Sequence, residues 1–431
     1  MTIIIDLIYL LALVALTPMV IYRMVKQKRY RSGWGQRIGK IIRKTPSKKC
    51  IWIHAVSVGE VNATKTIVKK LENRFADFEI VISTTTDTGF ARANTLYGEK
   101  LTVFYFPLDI SWIMKRAFKR LKPNICLLME LEVWPNFVKI AQKTGVPVVV
   151  VNGRLSKRSF SKYKKIRPIA KKIFEKVSLV LAQTEQYAER FKELGCDKDK
   201  VLVAGSLKYD TAEITDKVKG AYTLAAQLGI DEERLWVTGA TGNDEEKILL
   251  EVFKALKKKE QFGDLRLVIV PRKPERFDEV AQLIQQTQLG FVRYSQIKDA
   301  AAKLPKDKPP VILGDTMGDL RKFYSLATII FVGRSLVPMG GSDMAEAAAL
   351  GKCTIFGPHA FNFNQIVDAL LEGKGAIMVK DRDELLETMQ KCLSQPDFAR
   401  RIALNGQEVI RKNQGATKKN LYEIARFLKT E

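Results

Sequence analysis

The chain is poor in the residues that most often build metal centres and covalent frameworks. Only two histidines, His54 and His359, occur among 431 residues, too few for a histidine-rich metal site. The five cysteines (Cys50, Cys126, Cys196, Cys353 and Cys392) are odd in number, far apart and without a CxxC pair. That spacing argues for a reducing compartment and against both a disulfide framework and cysteine-ligated zinc. No solenoid repeat and no low-complexity tract occurs. Acidic residues are outnumbered, with 47 Asp and Glu against 72 Lys and Arg, which leaves a formal net charge of +25. An excess that large points to a negatively charged partner, and nucleic acid and an anionic membrane surface both qualify.

What is present begins with one long apolar run. Ile3 to Tyr22 is interrupted only by Asp6 near its start and Thr17-Pro18 near its end. About 20 such residues at roughly 1.5 Å each match the hydrocarbon thickness of a bilayer. No Lys or Arg precedes the run, whereas Arg23 to Lys49 is rich in both and contains no Asp or Glu. A cleavable signal peptide has the opposite order. The charge bias predicts a spanning anchor over residues 1–25, its N-terminus outside and everything after Tyr22 in the cytoplasm. The alternative is an apolar helix lying in the interface or packed on the body.

From Cys50 onward, short β-branched runs alternate with amphipathic stretches. Strands are expected at 50–56, 79–83, 101–106, 124–129, 147–151, 179–182 and 201–204. After a polar segment at 210–227 the pattern restarts, with strands at 235–239, 265–270, 311–313, 328–331, 353–356 and 376–379. That alternation predicts an α/β fold of two doubly wound, Rossmann-like parallel sheets. With 46% hydrophobic residues the chain can fill two cores. The expected domains are 26–210 and 211–400, followed by a C-terminal helix over 401–431. Ligands of open α/β sheets bind at the carboxyl ends of the strands, so two such domains are expected to face a cleft. A second basic block, from Arg154 to Lys176, has one acid, Glu175, and interleaves Phe160, Tyr163, Ile166 and Ile169. It reads either as a solvated helix face or as a surface resting on anionic lipid.

Four segments have the composition of a reactive site. Ile51-Trp52-Ile53-His54 runs through Ala55-Val56-Ser57-Val58-Gly59 to Glu60 at the start of a helix. Glu60 is placed either to take a proton from an attacking hydroxyl or merely to complement the helix dipole. Gly59 is expected to make the tight turn, and His54 reads as a core histidine. In the second domain Pro271 and Arg272 follow a strand, and a guanidinium there suits a phosphate or carboxylate. Gly314-Asp315-Thr316-Met317-Gly318 and the segment from Gly333 to Glu346 are glycine-bearing strand–helix junctions, where backbone N–H groups can hold a phosphate. Three such junctions in one domain point to a nucleotide. Glu346 is placed to accept hydrogen bonds from a ribose, or to serve only as a helix N-terminal charge.

These segments also follow the order of one family. HAVSVGE at 54–60, FPLD at 106–109, ELEVWPN at 130–136 and NGRLS at 152–156 lie in the first half. GSLKYD at 205–210, PRKPERF at 271–277, GDTMGDL at 314–320 and GPHAFNF at 357–363 continue the series. The chain resembles the transferases of 3-deoxy-D-manno-oct-2-ulosonic acid (Kdo) that act in lipopolysaccharide assembly. The resemblance spans nearly the whole chain. It implies a GT-B fold, CMP-Kdo as donor and a lipid A precursor (lipid IVA) as acceptor. It also implies inversion at the anomeric carbon, on the cytoplasmic face of a Gram-negative inner membrane. It assigns the base role to Glu60 and donor contacts to Pro271, Arg272, Gly314, Asp315, Thr316, Gly318, Ser342 and Glu346. CMP leaves as a monophosphate, so no metal or other cofactor is expected. Ser342-Asp343 stand where the family usually has His-Asn, Lys273 where it often has His, and Gly153 where it often has Ala. Competing readings are a sugar-nucleotide epimerase of similar fold, a transferase of another acidic sugar, and a membrane-tethered nucleic-acid binder. The last lacks any recognised nucleic-acid motif, and no nucleic-acid partner is expected.

Overall fold

The computed structural model describes residues 2–26, 31–298 and 308–428. The chain forms two compact units, residues 1–211 with 414–431, and residues 212–413.

The first unit is built on seven parallel strands: β1 (Lys49–His54), β2 (Phe78–Thr84), β3 (Thr102–Tyr105), β4 (Ile125–Met129), β5 (Val148–Gly153), β6 (Leu179–Ala182) and β7 (Val201–Val203). Their order is β3-β2-β1-β4-β5-β6-β7, and every pairing is parallel. Strands β2, β4 and β5 are buried along their whole length, as continuous apolar runs demand when helices cover both faces. Alternate side chains divide between two cores. Trp52 enters one with Phe104, Phe118 and Phe137, while Ile51 and Ile53 enter the other with Val61 and Ile67. The Trp52 ring lies 5.0–6.0 Å from four phenylalanine rings, contacts of about 0.5–1.5 kcal/mol each beyond simple burial.

The second unit repeats the plan with β8 (Leu235–Thr241), β9 (Arg266–Pro271), β10 (Phe291–Arg293), β11 (Val311–Leu313), β12 (Ile329–Val332), β13 (Cys353–Phe356) and β14 (Ile377–Met378). The order is β10-β11-β9-β8-β12-β13-β14. Strand β10 was not expected. It has three residues on the sheet edge, too few for any periodicity to register.

Eight helices matter below: α1 (Thr2–Lys26), α2 (Val58–Ala63), α3 (Ser111–Leu121), α4 (Pro135–Lys143), α5 (Glu245–Lys257), α6 (Met344–Ala349), α7 (Pro396–Asn413) and α8 (Ala416–Leu428). By length and composition α1 is able to cross a membrane. The single C-terminal helix expected over 401–431 is instead two helices, α7 in the second unit and α8 in the first. The chain breaks at Gly415, whose φ of +105° favours a residue without Cβ. The Asp210 carboxylate accepts from the Gly415 N–H (2.7 Å) and the Thr417 N–H, ending one helix and starting the next.

Candidate active site

In each sheet the strand order reverses at the first strand, between β1 and β4 and between β8 and β12. Ligand sites of doubly wound sheets lie at the carboxyl ends of the strands flanking such a reversal. Glu60 follows β1 and Glu130 follows β4, so both acids stand at the reversal in the first unit.

Glu60 is held by a capping box. Ser57 is the N-cap of α2, its Oγ accepting from the Glu60 N–H at 3.4 Å. In return the Ser57 hydroxyl donates to Glu60 Oε1 at 2.9 Å, and the Val56 N–H donates to Oε2 at 2.9 Å. Burial pushes the Glu60 carboxyl up to about 7. The nearby Glu130 and Glu132 carboxylates push the same way, against the Val56 and Ser57 hydrogen bonds that favour the ionised form. The result is a rigid carboxylate poised near neutrality, which is what a general base requires. Gly59 does not make the turn as expected. It lies inside α2 without a positive φ, and a Cβ there would meet nothing nearer than Ser57 Oγ at 3.8 Å. His54 is buried and stacked on Phe106 at 3.8 Å, with Nδ1 3.1 Å from the Ser83 carbonyl. Burial lowers its pKa to about 3, so it is a neutral core histidine.

The motifs of this unit converge on the same strand ends. Glu130, at φ +55°, lies 3.9 Å from Arg154 and 4.0 Å from Lys208. The Glu132 carboxylate accepts from the Trp134 indole at 3.0 Å. Asn152 Oδ1 accepts from the Leu207 N–H at 3.0 Å, tying NGRLS to GSLKYD. Asp109 of FPLD accepts from the Asn136 and Phe137 N–H groups at 3.0 and 2.8 Å. Glu130, Glu132 and Lys208 carry no signal in the sequence beyond their place inside these motifs, and Arg154 reads only as the start of the second basic block.

In the second unit the donor-side candidates divide. Pro271, Arg272, Ser342 and Glu346 all lie near the carboxyl end of the central strand β8. The Arg272 N–H donates to the Thr241 carbonyl (3.1 Å), and the Ser342 hydroxyl to the Ala240 carbonyl (3.3 Å). The buried Tyr324 hydroxyl feels Glu346, Asp343 and Arg272 together, which places the junctions after β9 and β12 close to one another. The Arg272 side chain is exposed and makes no ion pair among the described residues. Glu245, buried at the start of α5, shapes the loop after β12. Its carboxylate accepts from the N–H groups of Arg334 (2.5 Å), Ser335 (2.9 Å), Leu336 (3.0 Å) and Gly242 (3.2 Å). Asp343 is the N-cap of α6 and accepts from the Ala345 N–H at 3.0 Å, so its charge meets the positive helix start.

Two of the expected donor contacts are occupied otherwise. The Gly314 N–H donates to the Ile269 carbonyl at 2.8 Å and cannot also bind a phosphate. This residue is glycine because a Cβ would come within 2.8 Å of Val270 and 3.0 Å of Phe323. The Asp315 carboxylate is buried against Arg293 (2.6 Å) and the Ser295 N–H and hydroxyl (2.8 and 2.6 Å), which fastens β10 to the sheet. The Thr316 hydroxyl donates to Asp319 at 2.7 Å, and Gly318 turns the loop at φ +90° with open space beside it. Among the described residues no group of three or more His, Cys, Asp or Glu is arranged to hold a metal ion.

The family model for 3-deoxy-D-manno-octulosonic-acid transferases matches residues 32–211. A 3-deoxy-D-manno-octulosonic acid transferase of Haemophilus influenzae is 34% identical over 409 residues, covering 94% of this chain and 93% of the relative. The chain belongs to this Kdo transferase family. A second member, from Bordetella pertussis, is 30% identical and covers 98% of this chain and 99% of its own length. Among solved structures, a UDP-GlcNAc 2-epimerase of Neisseria meningitidis superposes with a TM-score of 0.56 at 15% identity, covering 88% of this chain and all of its own. A glycosyltransferase of Rickettsia africae gives 0.55 at 16%, covering 89% of this chain and 100% of its own. These likenesses establish the GT-B architecture of two Rossmann-like units. Epimerases and transferases share it, so the Kdo transferase family match, and not the fold, makes the chain a glycosyltransferase.

Proposed function

We propose that the protein transfers Kdo from CMP-Kdo to a lipid A precursor, lipid IVA, with inversion at the anomeric carbon and Glu60 as the base. The observation that carries this reading is the Glu60 carboxylate, fixed by the Val56 N–H and the Ser57 hydroxyl and raised to about 7. The acceptor hydroxyl oxygen bonds to the anomeric carbon while the bond from that carbon to the CMP phosphate oxygen breaks. The hydroxyl proton passes to Glu60, and CMP leaves with the electron pair. Pro271, Arg272, Thr316, Gly318, Ser342 and Glu346 are the donor contacts in this reading. Arg272 is the group suited to the charge that develops on the departing phosphate. A monophosphate leaving group needs no bridging metal, so the reaction runs without a cofactor. The basic residues after α1 and in the helices Lys157–Lys165 and Arg167–Phe174 suit an acceptor embedded in an anionic membrane. In this reading α1 anchors the enzyme to the inner membrane, with both units in the cytoplasm.

Mass spectrometry of lipid IVA incubated with purified protein and freshly generated CMP-Kdo tests the proposal. A mass increase of one or more Kdo units is expected. An unchanged acceptor, with intact donor and a known Kdo transferase active in parallel, overturns the assignment of donor or acceptor and favours another acidic sugar.

A further inference from the structure

Helices α3 and α4 both begin without a side-chain cap of their own. Asp109 supplies part of what α4 lacks, through the N–H groups of Asn136 and Phe137. The cap of α3 comes from α1. Asp6 accepts from the Ser111 N–H at 2.9 Å and the Ser111 hydroxyl at 2.5 Å, and also from the Asn136 side-chain amide at 2.9 Å. The Tyr9 hydroxyl, one turn further along α1, bonds to Asp109. At the other end of α1, Arg31 donates to the carbonyls of Met24 (2.6 Å) and Val25 (3.3 Å), and Ser32 meets the Tyr105 hydroxyl at 3.3 Å. The N-terminal end of α1 is therefore bonded to the first unit, and so is the segment that follows its C-terminal end.

Asp6 and Lys26 are separated by about 30 Å of helix, the thickness of a bilayer's hydrocarbon core. A helix crossing the bilayer would carry Asp6 away from the body that holds Lys26. Here the half-buried positions Ile5, Asp6 and Tyr9, then Val20, Arg23 and Met24, fall on one stripe, because Asp6 and Val20 are close to four turns apart. Between these ends the helix is exposed and apolar on every side, with Leu7, Leu11, Val14 and Ile21 at 55%, 62%, 70% and 53% and Leu10, Leu13 and Leu16 at 46%, 42% and 49%. α3, whose first residue Asp6 caps, exposes Trp112 with Arg116 stacked on it at 4.9 Å, and Lys115, Arg116, Lys119 and Arg120 line a groove along α3. An apolar helix held at its N-terminal end by the first unit and flanked by an aromatic ring and cations suits a surface that meets anionic lipid.

We infer that α1 enters the membrane in its plane without crossing it, so that its N-terminus lies on the same side as the first unit. Asp6 is the docking residue that holds it there, and the partner surface is an anionic bilayer. This rests on the membrane-anchored reading above, and it replaces a spanning anchor by one that is part of the first unit's lipid-facing surface.

The test places single cysteines at Thr2→Cys and, as a marker of the first unit, at the exposed Lys418→Cys, in the full chain. The native cysteines are all buried and give little background. A membrane-impermeant maleimide is added to intact spheroplasts and to inverted inner-membrane vesicles. Both variants are expected to label in inverted vesicles and neither in spheroplasts. Labelling of Thr2→Cys in intact spheroplasts, or recovery of the protein in the soluble fraction, overturns the inference. If Thr2→Cys labels on neither side, Asp6→Leu decides. A docked helix loses the α3 cap and lowers the unfolding midpoint in detergent by about 2–4 °C. A crossing helix gains an apolar residue, and an unchanged or higher midpoint overturns the inference. Kdo transfer by Thr2→Cys, followed by mass spectrometry, reports separately on the proposed reaction.

Discussion

Ser57→Ala tests the base assignment more sharply than removal of the base itself. Ser57 contributes two things: its Oγ caps α2 and its hydroxyl stabilises the ionised Glu60. Loss of the cap costs about 1 kcal/mol of stability. A hydrogen bond to a charged group is worth about 1.5 kcal/mol or more, and one pKa unit corresponds to about 1.4 kcal/mol. Without the hydroxyl the ionised form of Glu60 is less favoured, so the carboxyl rises by about one unit from its value of about 7. The ionised fraction then falls about ninefold at pH 6 and by only about a tenth at pH 9. The assay is the initial rate of Kdo transfer at saturating donor across this range. The acidic limb of the profile is expected to move up by about one unit while the alkaline plateau is kept. An equal loss of rate at pH 6 and pH 9, with the limb in place, refutes the reasoning, because it would mean that Ser57 acts only through the fold.

Glu60→Gln is expected to lower kcat by about 10²–10⁴-fold while CMP binding, measured by calorimetry, stays unchanged. The same variant reports on stability. The folded pKa of Glu60 is raised, so its favourable contribution is complete below about 4.5 and lost as pH rises through about 7. At pH 8 Glu60→Gln should therefore unfold no earlier than the parent in thermal scans, and a large loss of midpoint there would show that the carboxylate is structural. Glu245→Ala strips the acceptor from four loop N–H groups and is expected to cost about 2–4 kcal/mol in urea unfolding, together with weaker CMP binding. Gly314→Ala, which forces a Cβ against Val270 and Phe323, should destabilise by about 1–3 kcal/mol. Gly318→Ala has room and carries only backbone strain, on the order of 1 kcal/mol, so a chemical denaturation series that ranks the two the other way contradicts the packing account.

Strand positions were legible because β-branched runs such as Val148–Val151 are buried on both faces, and a fully buried strand has no polar alternation to confuse its boundaries. The three-residue edge strand β10 was not legible. Its pairing depends on Arg293 meeting Asp315 across 22 positions of sequence. Glu60 was recognisable from its place after a strand and in a motif. That its carboxyl sits near neutrality was not, since the cause is burial together with Glu130 and Glu132, which arrive from another strand end.

The glycines show the same division. Composition marked Gly59, Gly314 and Gly318 alike, yet only Gly318 has a positive φ, Gly314 answers to side chains packed against it, and Gly59 to neither. Asp315 reads as a ligand contact beside two glycines, whereas Arg293 and Ser295 claim its carboxylate. What depends on neighbours along the chain was legible in the sequence alone: two parallel α/β sheets, an apolar first helix and the motifs of a family. Tertiary structure alone decided which amides remained free, which carboxylates were neutralised by partners, and where Asp6 of α1 found its hydrogen bonds. Those outcomes turn on contacts between residues far apart in sequence, and no local pattern records them.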